Sequence, residues 1–252
     1  MSTQTAFVTG GAQGIGKGIS GSLALAGFHV VIADLNLETA EATAKELTTA
    51  GGTASAVQVD VTSRESVEAA VERVTKETGG IDVLVNNAGW DDFIPFLDTD
   101  EDFWSKIIEL NFKGHLRTIK AIVPGMIERG YGRVINIGSD AGRVGSSLEA
   151  VYSGAKGGVI AFTKTLAREI ATKGVTANCV CPGPTDTPAL RKFINGAGDD
   201  ADKVIGGMKR GVPMKRLGTP EDIGPAVAFF ASEGAGFVTG QTLSVSGGLT
   251  MA

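Results

Sequence analysis

The chain has 252 residues, enough to bury a sizeable core in one large α/β domain without covalent staples. A formal net charge of −5 leaves no basic face for nucleic acid or an anionic membrane, so neither is an expected partner. No run approaches the roughly 20 apolar residues of a membrane span, and a strand begins almost at once after the first methionine, so a cytoplasmic protein is expected.

Short β-branched or apolar runs predict strands at Thr5–Thr9, His29–Ala33, Ala54–Val59, Val83–Asn86, Arg133–Gly138, Val175–Val180 and Thr242–Val245. Between them lie amphipathic stretches such as Leu37–Thr49 and Glu65–Thr78, where apolar residues recur at helical spacing against Glu and Lys. Strand, helix, strand repetition predicts an α/β fold with a doubly wound parallel sheet, and continuous apolar strands imply helices on both faces. The 36 glycines, about twice the usual share, imply many tight turns. A glycine-rich polar stretch over Asn195–Gly211 interrupts the pattern late in the chain, and a mobile substrate lid spanning residues 190–212 is expected there within a single domain.

Directly after the first predicted strand comes Gly10-Gly11-Ala12-Gln13-Gly14-Ile15-Gly16, followed by a helical run. Bare backbone N–H groups and the positive end of the helix dipole bind an anion there, and side chains at the glycines would hold a pyrophosphate away. Asp34 ends the second strand eighteen residues beyond Gly16, where a carboxylate accepts hydrogen bonds from adenosine ribose hydroxyls. The same carboxylate repels a 2′-phosphate, and neither Gln13 nor Leu35 and Asn36 supplies a cation, so NAD is expected over NADP. The alternative for Asp34 is a solvated turn residue. Asp60, before Val61, either contacts the adenine or caps the next helix through Thr62 and Ser63.

Tyr152 and Lys156 stand at i and i+4, on one face of a helix. A tyrosine brought from its ordinary pKa of about 10 to about 7 by a nearby ammonium, at roughly 4 kcal/mol of differential stabilisation, accepts an alcohol proton near neutral pH. Ser139 closes the fifth strand thirteen residues earlier, at the carboxyl end of the sheet where such folds place their chemistry. Cys179 and Cys181 alternate along the sixth strand and are expected as core thiols, not a disulfide. With only the distant His29 and His115 to join them, no metal site is expected.

These motifs, Thr9-Gly10-x-x-x-Gly14-x-Gly16, Asn86-Asn87-Ala88-Gly89, Ser139 and Tyr152-x-x-x-Lys156, resemble those of the short-chain dehydrogenase/reductase family across nearly the whole chain. The resemblance implies a Rossmann fold with strand order 3-2-1-4-5-6-7, assembled as a homotetramer, with Asn111–Arg129 and Val151–Thr172 as candidate interface helices. It implies a catalytic set of Asn111, Ser139, Tyr152 and Lys156, in which Asn111 holds a relay water and Lys156 also contacts the nicotinamide ribose. The remaining cofactor contacts would be Gly10, Gln13, Gly14, Ile15, Gly16, Asp34, Leu35, Asp60, Val61, Asn87, Ala88 and Gly89, then Pro182, Gly183, Thr185 and Thr187 after the sixth strand. The implied reaction is NAD-dependent interconversion of a secondary alcohol and a ketone, with Tyr152 as acid/base.

Within the family, Gly89-Trp90-Asp91, Ser139 to Ser147 and the Ser244 to Met251 terminus look most like alicyclic hydroxyacyl-coenzyme A dehydrogenases of the 2-hydroxycyclohexanecarboxyl type. Small Ala141, Gly142 and Gly145 would leave room for a ring, and Arg143, Lys192, Lys209 and Arg210 would meet the phosphates of a coenzyme A thioester. Otherwise Trp90 is a packing residue and the cations a solvated surface. A simple cyclic or aliphatic secondary alcohol, a vicinal diol, a 3-oxoacyl carrier-protein thioester, and a non-catalytic NAD-binding regulator are the alternatives.

Overall fold

Successive residues of β1 (Thr5–Thr9) point to opposite faces, yet all five are buried. Phe7 enters a cluster with Leu84, Ile122, Met126 and Leu166, whereas Ala6 and Val8 enter another with Ile19, Leu23, Ile223 and Phe230. A strand covered on both faces needs helices above and below, and truncating a side chain such as Phe7 to Ala would cost about 3–5 kcal/mol.

The computed structural model describes residues 3–196 and 198–251. Among them, β1, β2 (His29–Asp34), β3 (Thr53–Gln58), β4 (Val83–Asn86), β5 (Gly132–Ile137), β6 (Val175–Pro182) and β7 (Thr242–Val245) form one sheet in the order β3-β2-β1-β4-β5-β6-β7, every pairing parallel. This is the single-domain, doubly wound Rossmann arrangement expected. One face carries α3 (Arg64–Thr78), α5 (Gly114–Arg129) and α7 (Ala150–Ile170); the other carries α1 (Gly14–Leu25), α2 (Leu37–Thr49) and α10 (Pro220–Ala231).

Local chemistry sets the helix starts. Asn36 accepts from the Thr39 N–H at 3.1 Å to begin α2, and Ser63 accepts from the Ser66 N–H at 3.2 Å to begin α3. Thr219 and Asp222 form a reciprocal capping box on α10, with Pro220 in its first turn. The helix expected from Asn111 starts earlier and is locally unwound: α4 (Glu101–Ile108) runs through a π-helical turn, Glu109–Lys113, into α5.

The segment expected as a mobile lid is largely helical. It holds α8 (Pro188–Gly196) and α9 (Ala201–Gly211), with Ala197 outside the described residues. The apolar residues Ile194 and Val212 are buried and give the segment a packed side that its glycines obscure in the sequence. Cys179 and Cys181 are buried free thiols with Sγ atoms 3.9 Å apart. No described helix is long and apolar enough to cross a membrane.

The strand order reverses between β1, which leads out to β2 and β3, and β4, which leads the other way. A crevice opens at the carboxyl ends of the strands at such a reversal, and the predicted site residues converge there.

Candidate active site

The glycine loop leaves β1 at Gly10, whose φ of +60° is the left-handed conformation glycine accepts without strain, and turns into α1. Asn87 braces it by donating its side-chain amide to the carbonyls of Thr9 at 3.1 Å and Gly10 at 3.0 Å. Thr9 Oγ1 in turn accepts from the N–H groups of Asn87 and Ala88, at 3.0 and 3.1 Å. A Cβ on Gly14 would lie 3.6 Å from Thr187, which places the turn after β6 over this cradle. Gln13 is exposed, Ile15 half-buried and Gly16 buried against the loop's own backbone.

Asp34 lies beside the loop. One carboxylate oxygen accepts from the Ala12 N–H at 3.2 Å and the other from the Asn36 N–H at 3.1 Å, while Leu35 is exposed. Asp34 is therefore oriented by two backbone donors and is not a loose turn residue. Asp60 accepts from the Thr62 backbone at 2.8 Å and its hydroxyl at 2.6 Å, and the cap of α3 is Ser63. Val61 is buried against Gly114. Thr185, three residues after Pro182, is buried and donates to the Gly183 carbonyl at 2.9 Å; Thr187 accepts from the Leu190 N–H at 3.2 Å at the start of α8.

Ser139 follows β5 and Tyr152 lies in the first turn of α7, facing it. The Ser139 hydroxyl accepts from the Ala141 N–H at 3.1 Å, which leaves its hydrogen free to donate outward. Lys156 is buried one turn further along α7, and its Nζ donates to the Ile137 carbonyl at 2.9 Å. Gly89 brings the two halves together: a Cβ there would lie 2.7 Å from Asn111 Oδ1 and 3.6 Å from Lys156 Nζ.

Two expectations about this cluster change. Tyr152 is not lowered by the lysine: burial raises its phenol well above the ordinary value, Glu149 and Asp91 add to the rise, and Ser139 opposes it. The ammonium is itself depressed to about 8 by burial, and it lies 5.6 Å from the tyrosine ring centroid. The second concerns Asn111, whose side-chain amide donates both hydrogens to backbone, to Trp90 O at 2.7 Å and Ile107 O at 3.0 Å. Its Oδ1 accepts from the Trp90 N–H at 3.3 Å. The side chain thus holds the loop after β4 against the π-helical turn, with both amide hydrogens committed to backbone.

The residues expected to shape a ring pocket also fall differently. Gly142 packs on α7, where a Cβ would come within 2.7 Å of the Gly157 nitrogen, so its smallness serves helix contact. Arg143 turns inward and donates to Ser244 Oγ at 2.7 Å. Trp90 packs edge-on to Phe103, with Lys106 Nζ 3.8 Å from its ring centroid. Lys192, Lys209 and Arg210 are exposed, and Lys209 lines a cleft of about 490 Å³ with Ile194, Ile205 and Arg216.

Three further groups have surroundings that their sequence positions do not show. Asp91, beside Glu149 and Tyr152, has both carboxylate oxygens shut from solvent without a hydrogen-bond partner, and burial pushes its carboxyl up to about 8. His115 is buried against the carbonyls of Ile137 and Asn86, held neutral by burial and by the Lys156 charge. Its i+4 spacing from Asn111 was a usable signal. Asp140, next to Ser139, is buried and accepts from Ser244 at 2.5 Å. No group of three His, Cys, Asp or Glu side chains that could hold a metal lies among the described residues.

Comparison with known proteins adds to this geometry. The family profile described as enoyl-(acyl carrier protein) reductase matches residues 10–250. The chain is 40% identical to the 3-oxoacyl-[acyl-carrier-protein] reductase FabG of Vibrio cholerae serotype O1, covering 98% of both chains. It is 41% identical to nodulation protein G of Azospirillum brasilense, covering 99% of both. Its fold superposes on a variant of the actinorhodin polyketide ketoreductase, solved with NADPH, at a TM-score of 0.94 with 36% identity over 99% of each chain. By this end-to-end similarity and by its fold, the chain belongs to the short-chain dehydrogenase/reductase family.

Proposed function

We propose that the protein interconverts a ketone and a secondary alcohol with NAD as its dinucleotide, and that its substrates are acyl thioesters of the 3-oxo type. The observation that carries the reaction is the meeting of Ser139, Tyr152 and the Lys156 amine at the same sheet end as the glycine cradle. NAD, when bound, supplies the carbon that exchanges a hydride with the substrate.

The cradle fits such a group: the loop from Gly10 to Gly16 and Thr187 would take the pyrophosphate, and Asp34 the adenosine ribose. Asp60 and Val61 would border the adenine; Pro182, Gly183 and Thr185 would border the nicotinamide. Ser139 donates its free hydrogen to the substrate oxygen and orients it. Tyr152, kept protonated by burial, gives its proton to that oxygen as a ketone is reduced and takes it back as an alcohol is oxidised. Lys156 holds a positive charge behind the phenol at pH values below about 8 and offsets the phenolate that forms.

The thioester class is supported by the names of the similar proteins, reductases of 3-oxoacyl carrier proteins and of a polyketide. The 2-hydroxycyclohexanecarboxyl reading loses two of its supports because Gly142 and Arg143 are committed to internal contacts. NADPH has one argument in its favour, its presence in the polyketide ketoreductase structure; the oriented Asp34 carboxylate and the exposed, uncharged Leu35 argue for NAD. A homotetramer, proposed from the family resemblance, would cover exposed Leu243 on the edge strand β7.

The test measures oxidation of NADH and NADPH by the purified protein with acetoacetyl-coenzyme A, its free acid and cyclohexanone. Preferred turnover of the thioester with NADH supports the reading. Equal turnover of thioester and free acid removes the thioester, and preference for NADPH removes NAD.

A further inference from the structure

The loop that carries Ser139 is tied to the last strand by a chain of three side chains. Ser244, on β7, donates its single hydrogen to Asp140 Oδ1 at 2.5 Å, and Arg143 Nη1 donates to the same Ser244 oxygen at 2.7 Å. Ser244 pairs in register with Cys181 of β6, and the Asp140 N–H donates to the Pro182 carbonyl at 3.2 Å, so the loop is pinned to both final strands. Asp140 is only 4% exposed, and its second oxygen is shut from solvent without a hydrogen-bond partner. Ser244 thus mediates between a buried anion and a cation, and removing its hydroxyl strands both.

The peptide after Asp140 is the one that matters at Ser139. Its N–H, that of Ala141, donates to Ser139 Oγ and decides where the remaining hydroxyl hydrogen points. The Asp140 backbone carbonyl also starts α6 (Ala141–Val144) by accepting from the N–H groups of Arg143 at 2.9 Å and Val144 at 3.1 Å, so the backbone here moves with the residue whose carboxylate is held. A carboxylate held from β7 therefore fixes the donor that orients Ser139. We propose that Asp140 is a positioning residue for Ser139, anchored through Ser244 to the last strand, so that substrate orientation depends on a contact made across the sheet edge. This rests on the reading of Ser139 as the group that orients the substrate oxygen.

A double-mutant cycle tests it. Ser244→Ala, on a half-buried strand position, is expected to lower kcat about tenfold, within the loss that a misplacement of about 1 Å can cause, with the KM for NADH unchanged. Ser244→Thr, which keeps a hydroxyl, should recover most of it. In a Ser139→Ala background the Ser244→Ala change should have almost no further effect, because the group it positions is gone. Asp140→Asn should follow the same pattern, with melting temperatures reported beside each rate. An equal fold-loss in both backgrounds, or an unchanged kcat in Ser244→Ala alone, overturns the proposal. Full turnover in Ser139→Ala alone overturns the role of Ser139, and the positioning role with it.

Discussion

Tyr152 and Lys156 share one face of α7, yet the lysine Nζ lies 5.6 Å from the tyrosine ring centroid and spends a hydrogen on the Ile137 carbonyl. The amine is held behind the phenol, and burial works on the two groups in opposite directions, raising the tyrosine and lowering the lysine to about 8. The tyrosine shift keeps the phenol protonated, the state a proton donor needs before a ketone arrives, while the lysine still carries its charge below about pH 8.

Lys156→Met should separate the two consequences of this burial. The variant is expected to lose turnover and NADH affinity, both measurable by kinetics and equilibrium binding. Its stability relative to the parent should also depend on pH. The lysine titrates near 8 when folded and near 10.5 when unfolded, so the cost of burying its charge is complete below pH 8 and fades as pH rises to 10.5. Denaturant melts at pH 7 and pH 10.5 should show a larger stability gain for Lys156→Met at the lower pH; an equal gain at both would show that the lysine is not strained by burial.

Asp91→Asn carries the opposite sign. The Asp91 carboxyl titrates near 8 folded against 3.8 unfolded, so the parent takes up a proton on folding in this window and loses stability as pH rises from about 4 to 8. The amide removes that loss. Its melting temperature should exceed the parent's by a few degrees at pH 8.5 and match it within error at pH 4. A gain at pH 4 as large as at pH 8.5 would contradict the burial of this carboxyl.

Asp34→Ala combined with Leu35→Arg should reverse the dinucleotide preference. Asp34 faces the loop with both oxygens oriented by backbone donors, and replacing its charge with a cation next to it admits a 2′-phosphate. The ratio of kcat/KM for NADH over NADPH is expected to fall by about tenfold or more, the equivalent of roughly 1.4 kcal/mol. An unchanged ratio would remove Asp34 from the recognition of the dinucleotide.

Features set by local chemistry were legible in the sequence. Leu37–Thr49 is helical over the whole predicted span because its apolar spacing and the Asn36 cap agree, and the buried strands show as apolar runs because helices cover both faces. The glycine loop, Asp34 and the Ser139, Tyr152 and Lys156 set meet at one sheet end because parallel topology brings every strand's carboxyl end there. What could not be read depends on partners distant in the chain. Arg143 looks like a free cation until Ser244, 101 residues on, is placed against it. Gly142 looks like open space until α7 folds back over it, and the tyrosine's protonation reflects its burial first and then, beyond its sequence neighbour Glu149, the Asp91 carboxyl that enters from the loop after β4. The helices α8 and α9 carry apolar residues at helical spacing, but Gly196, Gly198, Gly206 and Gly207 favour reading the stretch as a loop.

Tyr152 passes the proton in the proposed reaction, and Tyr152→Phe tests this most directly because the ring keeps its packing and loses only the hydroxyl. The measurement is kcat for ketone reduction beside NADH affinity by equilibrium binding, parent against variant. A fall in kcat of at least about a hundredfold with affinity unchanged is predicted, since a positioned acid/base group is typically worth that much. Turnover within a few-fold of the parent would contradict the assignment and with it the mechanism built on Ser139 and Lys156.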